Sequence, residues 1–154
     1  MQVILANSEE DIGQYFDHII ASDDYRIKRG RPFPDEVWAA MIAVSCDHPS
    51  SCIKVDDTGV GILSGIHAGT KTMGVIRYSN FTRLHTDDID ILGTTNLSAY
   101  MQVINASRKH MEEFNPTYVC QTFKGLVPLI KLCDINTCNS KTYSLYTKTT
   151  HIIM

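Results

Sequence analysis

Val60-Gly61-Ile62-Leu63-Ser64-Gly65-Ile66-His67 is a nearly unbroken apolar run, followed by Ala68-Gly69-Thr70 and a second run, Met73 to Phe81. How this stretch is read decides the fold. Eight residues bounded by turn formers suit a strand, and the break at Ala68-Gly69-Thr70 makes Met73–Phe81 its neighbour. Upstream, Cys52-Ile53-Lys54-Val55 alternates, and Asp56-Asp57-Thr58-Gly59 is a turn signal whose glycine can take positive φ. The three segments together predict an antiparallel meander. Gly74 within the third marks a bulge or a close backbone approach.

Working outward, Thr82–Gly93 is a polar linker, and a long amphipathic helix is expected over Thr95–Phe114. Its apolar face is Leu97, Tyr100, Met101, Ile104, Met111 and Phe114, and Asn115-Pro116 stops it. Thr117–Phe123 is β-rich, Leu126–Cys133 suits a short helix, and Lys141–Lys148 alternates as a closing strand. On the N-terminal side, Gln2–Ala6 is β-prone. A helix from Ser8 would align Ile12, Phe16, Ile19 and Ile20. After a loop over Ser22–Pro34, Pro34-Asp35-Glu36 opens a second helix with Trp38, Met41, Ile42 and Ser45 inward. The expected order is β-α-α-β-β-β-α-β-α-β. That order implies an α/β (α+β) domain over residues 1–154, with a mixed, mostly antiparallel sheet and helices on both faces.

Composition narrows the function classes. The 154 residues are 44% hydrophobic and 20% charged with a formal net charge of −3, which suits one domain and argues against a general grip on nucleic acid. No apolar run approaches the roughly 20 residues needed to cross a bilayer, so no membrane role is expected. Five cysteines at irregular spacing are read as reduced thiols, placing the protein in a cytoplasm.

Four clusters carry chemistry. Arg26, Lys28, Arg29 and Arg31 fall within six positions, either as an anion or phosphate patch or as a solvated charge run. His85, Asp87, Asp88 and Asp90 are either a site for a hard cation or an acidic loop, and the absence of EF-hand spacing favours the loop. Cys46, His48, Cys52, Cys133 and Cys138 lack paired zinc spacing, so no metal is expected. His67, at the end of its run, stands where the mouth of a site could be.

This succession of elements resembles the GNAT superfamily of acyl-CoA-dependent N-acyltransferases, in the small divergent form found in bacteriophages. The resemblance covers essentially the whole chain and is one of architecture. It implies acetyl-CoA or another acyl-CoA as cofactor, an amine as acceptor, and a pyrophosphate site where strand hands over to long helix. That site falls on Phe81, Thr82, Gly93, Thr94, Thr95 and Asn96. The family's glycine-rich motif is represented there by Gly93 alone, and its tyrosine acid falls on Ile130. A catalytically inactive descendant is therefore the alternative: a virion component or an inhibitor that docks on a host protein, with exposed sheet edges suited to a homo-oligomer.

Overall fold

The computed structural model describes residues 16–125, Pro128 and 151–153. Its elements are α1 (Asp35–Ala43), β1 (Cys52–Asp56), α2 (Gly59–Ala68), β2 (Lys71–Val75), α3 (Thr86–Thr95), α4 (Leu97–Glu112), β3 (Tyr118–Cys120) and β4 (His151–Ile153). The strands form one sheet in the order β3-β2-β1-β4, and every pairing in it is parallel. β1 and β2 are in register as Ile53 to Lys71 and Val55 to Met73. The expected mixed, mostly antiparallel sheet is therefore corrected to a parallel one, built by helical crossovers rather than hairpins.

The decisive difference lies at Val60–His67, which is helix α2 and not a strand. Thr58 is the reason. Its side chain accepts a hydrogen bond from Gly61 N at 3.2 Å and caps a helix, so Asp56–Gly59 is a strand-to-helix turn and not a hairpin. Gly61, Ser64, Gly65 and Ala68 are all buried at helical spacing, a stripe of small residues that lets α2 lie close on the sheet. At Gly65 a Cβ would stand 2.7 Å from Thr72 Cγ2 and 2.8 Å from Lys54 Cβ. Gly69 then ends the helix with φ +80°, a left-handed turn that favours glycine.

Further expectations change. Met73–Phe81 is strand only as far as Val75, after which Asn80–Thr82 forms a single 3-10 turn. The linker Thr82–Gly93 contains α3, with Asp87 and Asp88 in its first turn, where carboxylates favour the positive end of the helix. The long helix is α4, and of its expected face Tyr100, Ile104 and Met111 are buried while Leu97 and Met101 are exposed. On α1 the inward residues are Val37, Ala39 and Met41, whereas Trp38 and Ile42 face outward. Phe16 and Ile19 are exposed and not helical. The expectations over Gln2–Ala6, Ser8–Ile12, Lys141–Lys148 and, apart from Pro128, Leu126–Cys133 lie outside the described residues.

All five β1 positions are buried, as befits a central parallel strand. Ile53, Val55, Met73 and Val75 form a core on one face. Cys52 packs with Val37, Met41 and Ala68. A third cluster joins α2 to α3 and α4 through Ile62, Ile76, Ile89, Tyr100, Ile104 and Met111. Asn96 links α3 to α4: its N–H donates to Leu92 O at 2.9 Å and its Oδ1 accepts from Ala99 N at 3.0 Å. No described helix is long and apolar enough to cross a membrane.

Candidate functional site

The chain runs from β1 through β2 to β3 on one side and returns to β4 on the other. The connection therefore changes direction beside β1, and in open parallel sheets the crevice beyond the strand ends at such a point is where ligands bind. Asp56 stands at that end of β1 and Thr58 opens α2 two residues later.

Around Asp56 the structure assembles a charged cluster. Lys54 lies on the same face of β1, because side chains two apart share a face, and its Nζ is 3.0 Å from Asp56 Oδ2. Arg31 Nη1 reaches the same oxygen at 3.2 Å. Thr58 donates both its N–H, at 2.9 Å, and its hydroxyl, at 2.7 Å, to Asp56 Oδ1. Glu36, in the first turn of α1, bridges the two cations. It accepts from Arg31 Nε at 2.8 Å and lies 3.7 Å from Lys54 Nζ, with Ser64 Oγ donating to it at 3.3 Å. Gly61 makes room for all this, since a Cβ there would overlap the Asp56 carboxylate.

Burial alone would raise the Asp56 pKa. The Lys54 charge, the hydrogen bonds from Thr58 and Lys54 and the Arg31 charge outweigh it, and the carboxyl is held below its ordinary value of 3.8. Burial likewise opposes the charge on Arg31, but its bond to Glu36 and the fields of Asp56, Glu36 and Asp57 raise its pKa. Asp57 differs from its neighbour. It is exposed and makes no hydrogen bond or ion pair among the described residues.

The basic run Arg26–Arg31 is exposed at Lys28, Arg29 and Arg31, but its three arginines are engaged by carboxylates and so do not form a free anion patch. Arg26 pairs with Asp24 at 2.7 Å, and that hydrogen bond holds Asp24 at a pKa of about 2. Arg29 grips Asp35 at 2.7 Å and lies 4.5 Å over the Phe33 ring. Asp35 also accepts the backbone N–H groups of Lys28 and Arg29 at 3.1 and 3.0 Å, which shapes the loop around the head of α1. His67 Nδ1 lies 2.7 Å from Pro32 O, tying α2 to the same loop. A cavity of about 470 Å³ opens here, lined by Lys28, Arg29, Gly30, Arg31 and Glu36.

The expected cofactor residues are not brought together. Phe81 and Thr82 belong to the 3-10 turn against the middle of α4, where with Val103, Ala106 and His110 they line a cavity of about 530 Å³. Gly93, Thr94 and Thr95 form the last turn of α3, the negative end of a helix, where the macrodipole disfavours an anion. The Thr94 and Thr95 hydroxyls both donate to Ile91 O, at 2.9 and 2.8 Å. Asn96 caps α4. At 1.5 Å per residue it stands roughly 10–20 Å along that helix from the Val103–His110 wall. Asp90 is engaged by Arg77 at 2.8 Å and by Tyr78 at 3.2 Å, and no three potential metal ligands cluster among the described residues.

No family model matches the chain. Curated relatives do. The phosphonoacetaldehyde hydrolase of Pseudomonas fluorescens (strain Pf0-1) is 34% identical over 124 residues, covering 80% of this chain and 42% of that protein. Its counterpart in Pseudomonas aeruginosa PAO1 is 31% identical over 136 residues, covering 88% and 46%. Among solved structures, a phosphonoacetaldehyde hydrolase-like protein from Oleispira antarctica superposes with a TM-score of 0.63 at 29% identity, over 75% of this chain and 41% of that one. The fold is similar to that of this phosphonoacetaldehyde hydrolase-like protein.

The chain spans less than half the length of these curated relatives. A further solved structure, 17% identical with a TM-score of 0.65, shares the fold. The GNAT resemblance, the acyltransferase activity and the acyl-CoA cofactor are corrected on two grounds: the sheet is parallel, and the relatives are hydrolases. The sequence contained a signal for this candidate site. Lys54 and Asp56, two apart in a buried strand and followed by Asp57-Thr58, mark paired charges delivered to a strand end.

Proposed function

We propose that the Arg31–Lys54–Asp56–Asp57 cluster is the phosphoryl-binding part of a hydrolase site acting on a small phosphonate, with phosphonoacetaldehyde itself as the first candidate substrate. One observation carries the proposal: two cations are held against a buried carboxylate at the carboxyl end of β1, beside the opening turn of a helix. Arg31 presents a planar fork suited to tetrahedral oxyanions, and Glu36 and Asp56 fix its direction. The similarity to phosphonoacetaldehyde hydrolases supports the choice of substrate class.

HAD-type chemistry implies a magnesium ion. Asp56 does not suit it as a ligand, because Lys54, Arg31 and two Thr58 donors take up its roughly four acceptor positions. Asp57 does suit it, since magnesium is commonly held by one or two carboxylates together with substrate phosphate. Bound there, the ion would neutralise developing charge on the phosphoryl oxygens. The residues of this chain then divide the work. Arg31 orients the phosphonate, Lys54 keeps Asp56 ionised, Asp56 and Thr58 hold the strand-to-helix turn, and Glu36 keeps Arg31 from swinging into solvent. Asp56, saturated as it is, serves as an acceptor and not as a nucleophile.

The test is calorimetric titration with methylphosphonate in the presence of Mg²⁺, alongside phosphate release from phosphonoacetaldehyde. Wild-type protein should bind, and Arg31→Gln should weaken binding by about ten- to a hundredfold, the worth of a hydrogen bond to a charged group. Absence of binding at millimolar methylphosphonate would refute the assignment.

A further inference from the structure

Cys46 Sγ and Cys52 Sγ lie 3.0 Å apart. We infer that these two thiols form a reversible intramolecular disulfide that staples the end of α1 to the start of β1. A disulfide S–S bond is about 2.05 Å, so closure moves the sulfurs together by only about 1 Å.

The backbone between them is already folded for it. Cys46 N–H donates to Met41 O at 2.9 Å just beyond α1, Ser51 N–H donates to His48 O at 2.9 Å, and Cys52 N–H donates to Pro49 O. The Cys46 thiol donates to His48 O at 3.1 Å, which turns a sulfur lone pair toward Cys52. Cys52 then donates to Cys46 Sγ. Accessibility divides the two roles. Cys46 is half-buried and within reach of a small oxidant, whereas Cys52 is fully buried. Burial, reinforced by its contact with Cys46, pushes the Cys52 thiol up to about 12, so it is the later of the two to react.

With a hydroperoxide as oxidant the steps balance. The Cys46 thiolate attacks the O–O bond, gaining one oxygen as sulfenic acid and releasing water or an alcohol. Cys52 sulfur then attacks Cys46 sulfur; the S–O bond breaks, the S–S bond forms, and the thiol proton leaves with hydroxide as water. Two thiols are oxidised and one peroxide is reduced. The staple joins α1, which carries Glu36, to β1, which carries Lys54 and Asp56. It stands on its own geometry and is independent of the phosphonate assignment.

The experiment treats the protein with stoichiometric hydrogen peroxide, blocks remaining thiols by alkylation, and maps peptides with and without reduction. The expected product is a Cys46–Cys52 linked peptide, lighter by about 2 Da than the two reduced thiols and restored by dithiothreitol. Cys52→Ser should stop at Cys46 sulfenic acid, captured by a cyclic 1,3-diketone, whereas Cys46→Ser should leave Cys52 reduced. Cys120→Ser should form the same link as wild type. The inference is overturned if wild-type Cys46 accumulates as sulfenic or sulfinic acid without the link, if both cysteines stay reduced, or if either pairs instead with another cysteine. Circular dichroism of each variant confirms that a negative result comes from folded protein.

Discussion

Lys54 and Asp56 point to the same face of β1, their charged ends 3.0 Å apart, with side chains only 1% and 4% exposed. Two ionised groups taken out of water at a strand end stand or fall together. Desolvation of each is offset by the other and, at the rim, by Arg31 and Glu36.

Lys54→Met keeps the bulk but strips Asp56 of its nearest cation. Urea denaturation should show a loss of about 3–5 kcal/mol, as when one member of a buried pair is removed. Lys54→Met with Asp56→Leu should recover most of that loss, because no charge is left alone. A double variant no better than the single would mean that the pair is not coupled.

Acid should act through Asp56. Its folded pKa lies below the ordinary 3.8, so its contribution to stability is fully present above that value and is lost as pH falls through it toward the folded value. Thermal unfolding from pH 6 downward should therefore show a falling melting temperature below about pH 4. Asp56→Asn should make this limb shallower; an unchanged slope would assign it to other carboxylates.

The glycines differ in what they face. A Cβ on Gly61 would meet the Asp56 carboxylate, which is held on both oxygens, whereas at Gly74 it would meet Met111 Cγ at 2.5 Å, in a buried but uncharged thioether side chain. Gly61→Ala should cost about 1–3 kcal/mol or more, and Gly74→Ala distinctly less. Chemical denaturation of the two variants compares them directly, and the reverse ranking would contradict the geometry.

Asp57→Asn should leave stability within about 0.5 kcal/mol of wild type, as expected for an exposed side chain that makes no hydrogen bond or ion pair among the described residues. It should also abolish the dependence of methylphosphonate affinity on Mg²⁺. Titrations with and without the ion measure this, and a Mg²⁺ effect that persists would remove Asp57 from the site.

What could be read from the sequence follows from which signals are local. Pro34-Asp35-Glu36 opening a helix, the helix ended by Asn115-Pro116, and the strand after Thr117 all depend on neighbouring residues, and each lies close to its expected place. α2 was hidden because its sheet-facing stripe is Gly61, Ser64, Gly65 and Ala68. Weighing only the large residues of Val60–His67 leaves a short apolar run that fits a strand as well as a helix. Once that segment became a strand, β1 and β2 had to be joined by hairpins, and the antiparallel sheet and the acyltransferase resemblance followed.

At the site, Arg31 was singled out, but as one of four like charges. Its carboxylate partners come from α1 and β1, and only tertiary structure shows that Asp24, Asp35 and Glu36 pair with Arg26, Arg29 and Arg31. Lys54 reads as one position of an alternating strand, and its partner Asp56 falls in the turn signal that follows, so the spacing of the pair goes unused.

Asn96 closes α3 with its amide and opens α4 with its carboxamide, so one side chain sets the elbow between two helices. Its own N–H takes up one of the free carbonyls at the end of α3, and its carboxamide one of the free N–H groups at the start of α4.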